Sequence, residues 1–170
     1  IRARHLYSEG TSLKDVYRVP KGFTGAASYL VSGTRGNGRA YLGSFDSDLS
    51  PLKHVALGTE SRFMDMHVEK DGIVVVGWAK GASSAEKMDG LIIRYDASLN
   101  RKKQVLFGAG GEDVLPAIAP YKDGYVVAGF TTSANTRGYW DILVMELDRD
   151  FAIRKKTVVG GSGSELSCYI

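Results

Sequence analysis

Asp71-Gly72-Ile73-Val74-Val75-Val76-Gly77 and Asp123-Gly124-Tyr125-Val126-Val127-Ala128-Gly129 decide the fold, because they are two copies of one element. Each joins a glycine turn, the hairpin signal that permits positive φ, to an apolar β-branched run that reads as a strand. An offset of +52 residues superposes them, and an offset of +50 carries the register back to Lys21-Gly22-Phe23. The same offsets align Asp46, Asp96 and Asp148, and then Gly58, Gly108 and Gly160. Self-similarity at this period marks a stacked or closed repeat architecture.

Each unit contains four short runs, A to D, separated by turn signals, as expected of antiparallel β structure. In the middle unit they are 63–69, 73–79, 90–95 and 102–107; in the last, 114–121, 125–131, 142–147 and 154–159. The same registers place the first unit's strands at 13–19, 23–29, 40–45 and 52–57. Strands B and C are continuously apolar, which predicts burial on both faces and so a sheet sandwiched between two others. Strand D carries Arg101-Lys102-Lys103 or Arg154-Lys155-Lys156, and lysine on an edge strand guards against edge-to-edge aggregation. The expected fold is all-β, with approximate units 8–57, 58–107 and 108–159 in one repeat domain. A β-trefoil, also three units of four strands, is the alternative that the charged D strands and a partial fourth unit speak against.

The two quoted segments, the strand ending Leu147-Asp148 and the turn Gly160-Gly161-Ser162-Gly163-Ser164-Glu165 resemble the blades of prokaryotic β-propeller repeat proteins. They do not resemble WD or kelch blades: Trp140-Asp141 stands at the start of a strand, and no double glycine occupies the kelch position. The resemblance implies a propeller-like stack of about three four-stranded blades, with A innermost and D at the rim. It also implies an extracytoplasmic setting. In the same registers residues 1–7 read as a D strand and 166–170 as the start of an A strand. Three blades alone leave two apolar faces open, so the expectation is a piece of a longer propeller or an assembly of two or more copies.

Composition is that of an ordinary globular chain, with 44% hydrophobic and 24% charged residues among 170. A net charge of +3 gives no electrostatic case for nucleic acid. No apolar run approaches a membrane span, and the basic-apolar-small pattern of a signal peptide is missing. The single cysteine, Cys168, leaves the redox compartment open.

Residues that depart from what the repeat needs are the candidates for function. Tyr139 and Trp140 lie where the other units have Lys87-Met88 and Asn37-Gly38, in a B–C loop. Non-repeating aromatics in a loop are candidates for a contact surface. The B–C loops, expected at 30–39, 80–89 and 132–141, emerge on one side, where binding specificity would be written. Asp15 and Asp65 share one position on the innermost strand, with Ala117 in the third unit, and are candidates for a channel-lining site for a cation or basic ligand. Asp46, Asp48, Asp148 and Asp150 are calcium candidates, since alternating carboxylates supply oxygen ligands; the middle unit reads Asp96-Ala97-Ser98, which favours the turn reading, and no cofactor is expected otherwise. His5, His54 and His67 have no ligand-spaced neighbours. No catalytic constellation is found. The leading function is a non-enzymatic binding or scaffolding module for a protein or carbohydrate. An enzyme with its active site at the channel mouth and a structural or surface-layer protein are the alternatives.

Overall fold

The computed structural model describes residues 12–81, 87–108, 110–132 and 140–164. These form twelve strands in three antiparallel sheets, and among them there is no helix. The first sheet comprises β1 (Ser12–Arg18), β2 (Tyr29–Arg35), β3 (Arg39–Phe45) and β4 (Pro51–Ala56). The second comprises β5 (Ser61–Val68), β6 (Gly72–Lys80), β7 (Met88–Asp96) and β8 (Arg101–Phe107). The third comprises β9 (Asp113–Tyr121), β10 (Gly124–Thr131), β11 (Asp141–Asp148) and β12 (Ile153–Val159). Within each sheet the strands lie in chain order, so β4, β8 and β12 are edges, as their lysines and arginines suit.

The sheets stack in sequence on two apolar layers. Leu30, Ala40 and Leu42 of the first sheet pack against Phe63, Ile73, Val75, Leu91 and Ile93 of the second. From the opposite face of the second sheet, Val74, Val76 and Ile92 pack against Leu115, Tyr125, Val127, Leu143 and Met145 of the third. Successive side chains of β6 and β7 thus enter different layers, which is why both strands are apolar without alternation. The third sheet behaves otherwise: β11 alternates between buried and more open positions, and Val144 is 36% exposed.

Strand B of the first unit lies away from its expected place. The Lys21-Gly22 signal puts it at 23–29, but β2 runs from Tyr29 to Arg35. Gly22 does occupy a turn, at φ +93°, within a long connection, 19–28, that replaces the tight A–B hairpin of the other units. The true counterpart of Ile73-Val74-Val75-Val76-Gly77 is Tyr29-Leu30-Val31-Ser32-Gly33: Tyr29 faces Phe45 as Ile73 faces Tyr95. The B–C connection there shrinks to 36–38, with Gly38 at φ +73°, so the loop expected at 30–39 is mostly strand. Residues moved from one end of a strand to the other leave the repeat length unchanged, and offset arithmetic cannot detect them.

Strand A is bulged in all three units. Register shifts fall between Leu13 and Asp15, between Phe63 and Asp65, and opposite Ala128 to Phe130. A bulge bends the strand and re-aims the next side chain. The facing glycines make room for it: a Cβ at Gly77 would lie 1.9 Å from the Arg62 carbonyl oxygen, and one at Gly129 2.1 Å from that of Val114.

Candidate functional site

The two ends of the stack are built differently. At one end the C–D turns are three copies of one structure. Asp46, Asp96 and Asp148 each use Oδ1 to accept from the backbone N–H groups two and four residues on, at 2.8–2.9 Å. The residue three positions on takes a left-handed conformation: Leu49 at φ 62°, Leu99 at 56° and Phe151 at 64°. Leu99 and Phe151 are each 2% exposed, packed against the preceding sheet, whereas Leu49 is 49% exposed. The backbone hydrogen bond from Asn100, and then the one from its side chain, hold the Asp96 carboxyl well below the usual carboxylate range. Of the calcium candidates, Asp46 and Asp148 therefore spend one oxygen on the turn, while Asp48 and Asp150 are exposed; Asp150 lies 3.5 Å from Lys103 of the second sheet. The described residues contain no group of three or more His, Cys, Asp or Glu able to hold a metal ion.

The opposite end carries B–C connections 36–38, 81–87 and 132–140, unequal in length, together with the links between sheets. Trp140 sits there, half-buried, immediately before β11; Tyr139 lies outside the described residues, as do His5 and Cys168. Beneath Trp140 a row runs across the third sheet, Asp113 facing Thr131 and Thr131 facing Asp141. Asp141 is 3% exposed, and its Oδ1 has no hydrogen-bond partner among the described residues. It lies so close to Gly160 that a Cβ there would fall 2.1 Å from that oxygen, which accounts for the glycine at 160. Glu112 and Thr132 brace the loop: the Glu112 N–H donates to Thr132 Oγ1, and the Thr132 N–H returns a bond to the Glu112 carbonyl, both at 2.8 Å.

Asp15 and Asp65, on the first strands of their sheets, do not share one environment. Asp65 accepts from the Tyr17 hydroxyl of the first sheet at 2.8 Å and from the Ile118 N–H of the third at 2.9 Å, as well as from the Met66 N–H at its own bulge. One carboxylate thus ties three sheets together. Burial, and then the bond to Asp65, raise the Tyr17 hydroxyl above the usual tyrosine range. Asp15 is half-buried on β1.

A second polar cluster joins the second and third sheets. Tyr125 donates its hydroxyl to Glu69, and Arg94 donates to the Tyr125 hydroxyl at 2.8 Å while its guanidinium lies 4.8 Å over the Phe151 ring. Arg149 approaches Glu69 at 3.7 Å. Burial, then the bond to Glu69, push Tyr125 up to about 12, with Arg94 opposing. His67 packs edge-on against Tyr125, and His54 stacks on Tyr41 at 5.7 Å, both as strand histidines. The long connection 19–28 also frames a cleft of about 250 Å³ lined by Arg18, Pro20, Phe23 and Tyr29, which the displaced strand B conceals in the sequence. Compared with models of known protein families and with curated proteins, the chain matches none.

Proposed function

We propose that the chain is a β-propeller-type repeat module, non-enzymatic, that binds a protein or carbohydrate through the end carrying the B–C connections. The contrast between the two ends carries the reading. Three copies of one turn at one end are what a scaffold needs, whereas connections of unequal length, one of them ending in the half-buried Trp140, are what recognition uses. The sequential stacking of the sheets, with their first strands meeting neighbours and their basic strands at the edges, supports the propeller arrangement. The use of Asp65 as a tie between sheets supports a structural role for the inner acids rather than a catalytic one.

The test is a screen of the purified chain against immobilised glycans and proteins, repeated with Trp140→Ala. Binding that Trp140→Ala weakens at least tenfold, with the unfolding midpoint unchanged, supports the reading. Turnover of sugars or esters that is lost on changing Asp15 or Asp65 in a folded variant would replace it with the enzymatic alternative.

A further inference from the structure

The connection 19–28 replaces a tight hairpin with a longer segment, and that segment is held in place rather than slack. At its two ends the Val19 N–H donates to the Ser28 carbonyl at 2.9 Å, and the Ser28 N–H to that of Phe45 at 2.7 Å. Between them it is seated on the second sheet. The Thr24 N–H donates to the Lys70 carbonyl at 2.8 Å, and a Cβ at Gly25 would fall 2.6 Å from the Ala97 carbonyl oxygen. Phe23 and Ala27 pack against the apolar layer between the first two sheets. A segment fixed in this way presents its side chains without the ordering cost that a slack loop incurs on binding.

The cleft of about 250 Å³ that it frames has Arg18, Pro20, Phe23, Ser28, Tyr29 and Ser47 on its walls. Arg18 and Tyr29 stand directly opposite each other on β1 and β2, so their side chains leave the sheet on the same face. Arg18 is exposed and has no ion-pair partner among the described residues. The Tyr29 hydroxyl has no hydrogen-bond partner among them. In the register of Arg18 the other two units have Val68 and Pro120, so the repeat does not require the guanidinium.

The third sheet shows what the same positions hold there. Tyr125 is the counterpart of Tyr29, since it faces Leu147 as Tyr29 faces Phe45. Arg149 is the counterpart of Ser47, each following the aspartate of its C–D turn. Tyr125 and Arg149 meet a carboxylate, that of Glu69 from the second sheet. It accepts from the Tyr125 hydroxyl, and Arg149 and Arg94 stand 3.7 and 3.9 Å from it. The first sheet repeats the tyrosine and the turn position and adds the Arg18 guanidinium, and there these groups open on the cleft.

We infer that the cleft binds a single-ring organic carboxylate. Its carboxylate takes the part that Glu69 plays in the third sheet, accepting from the Tyr29 hydroxyl and pairing with Arg18, while its ring rests against Pro20 and Phe23. A guanidinium beside a hydroxyl suits the two oxygens of a carboxylate. The volume lies below the range of drug-sized sites, about 300–1,000 Å³, which limits the body of the ligand to one ring. The cleft lies at the end carrying the C–D turns, so the inference is independent of the ligand proposed for the opposite end.

Isothermal titration of the 170-residue chain with glucuronate and with benzoate tests it, the two probes separating a hydroxylated ring from an aromatic one. At least one is expected to bind with a Kd below about 10 mM. The matching neutral compound, glucose or benzyl alcohol, is expected to bind at least about tenfold more weakly. Arg18→Gln is expected to weaken binding by about tenfold or more, and Tyr29→Phe, which removes one oxygen, by about three- to tenfold, both with the unfolding midpoint unchanged. Absence of binding by both probes overturns the inference, as does a neutral compound that binds as tightly as its acid. Binding that survives Arg18→Gln overturns it as well, and where Trp140→Ala abolishes that binding instead, the ligand belongs to the loop end.

Discussion

The second and third sheets share strand order, register and bulge position, yet the same position carries different weight in each. Ile92 and Val144 occupy one register on β7 and β11; the first is fully buried and the second is 36% exposed. Backbone pattern therefore fixes where a residue points, and the presence of a neighbouring sheet fixes what that residue is worth.

The largest expected difference lies at that pair. Ile92→Ala should cost about 2–5 kcal/mol, the range for a truncated core side chain, and Val144→Ala should stay within about 0.5–1 kcal/mol. Urea unfolding of both variants checks this, and equal losses would break the comparison. Next comes the inner acid. Asp65→Ala removes an acceptor from three donors and should cost about 1.5–3 kcal/mol, whereas Asp15→Ala, with no such ties in view, should cost less than half as much; thermal unfolding of the two variants decides it.

A smaller effect of opposite sign is expected at the left-handed turn position. Leu49→Gly relieves strain without losing a packed side chain and should raise stability by about 0.5–1 kcal/mol. Leu99→Gly should lower it, since the buried leucine is lost. Finding the same sign at both sites would show that turn geometry, not burial, governs this position.

The smallest effect concerns pH. Arg154 grips Asp123 through two hydrogen bonds, 2.5 and 2.7 Å, and that contact draws the Asp123 carboxyl from 3.8 down to about 2. A carboxyl whose folded value lies below its unfolded one stabilises the fold above the unfolded value and ceases to do so as pH falls through the folded one. The difference in unfolding midpoint between wild type and Asp123→Asn should therefore be constant above pH 4 and close between about 4 and 2. A difference that persists unchanged at pH 2 would exclude the ion pair as its source.

Much of this architecture is legible in the sequence, because repetition lets weak local signals confirm one another. The Asp at 46, 96 and 148 predicts its own turn, and the charged D strands predict edges. Strand B of the first unit misleads because Lys21-Gly22 is a genuine turn in an altered connection, and a loop tolerates added residues at little entropic cost. Tyr29-Leu30-Val31-Ser32-Gly33 carried the correct signal in its resemblance to Tyr125-Val126-Val127-Ala128-Gly129. The site is less legible. The partners of Asp65 stand 48 and 53 residues away, and nothing in the local sequence names them. The close approach of the Asp141 carboxylate to Gly160 likewise joins residues on different strands, which no local pattern announces.

Asp65 also makes the sheets answer for one another in time. The amide of Ile118 is held by a carboxylate that belongs to a different sheet, so exchange of that proton with solvent requires the second sheet to release it as well as the third to loosen. Tyr17 reports on the same carboxylate from the other side. Local opening around Asp65 is thus felt by both neighbouring sheets, and the stack is expected to breathe as a unit where β1, β5 and β9 meet through it while the basic edge strands β4, β8 and β12 exchange one by one.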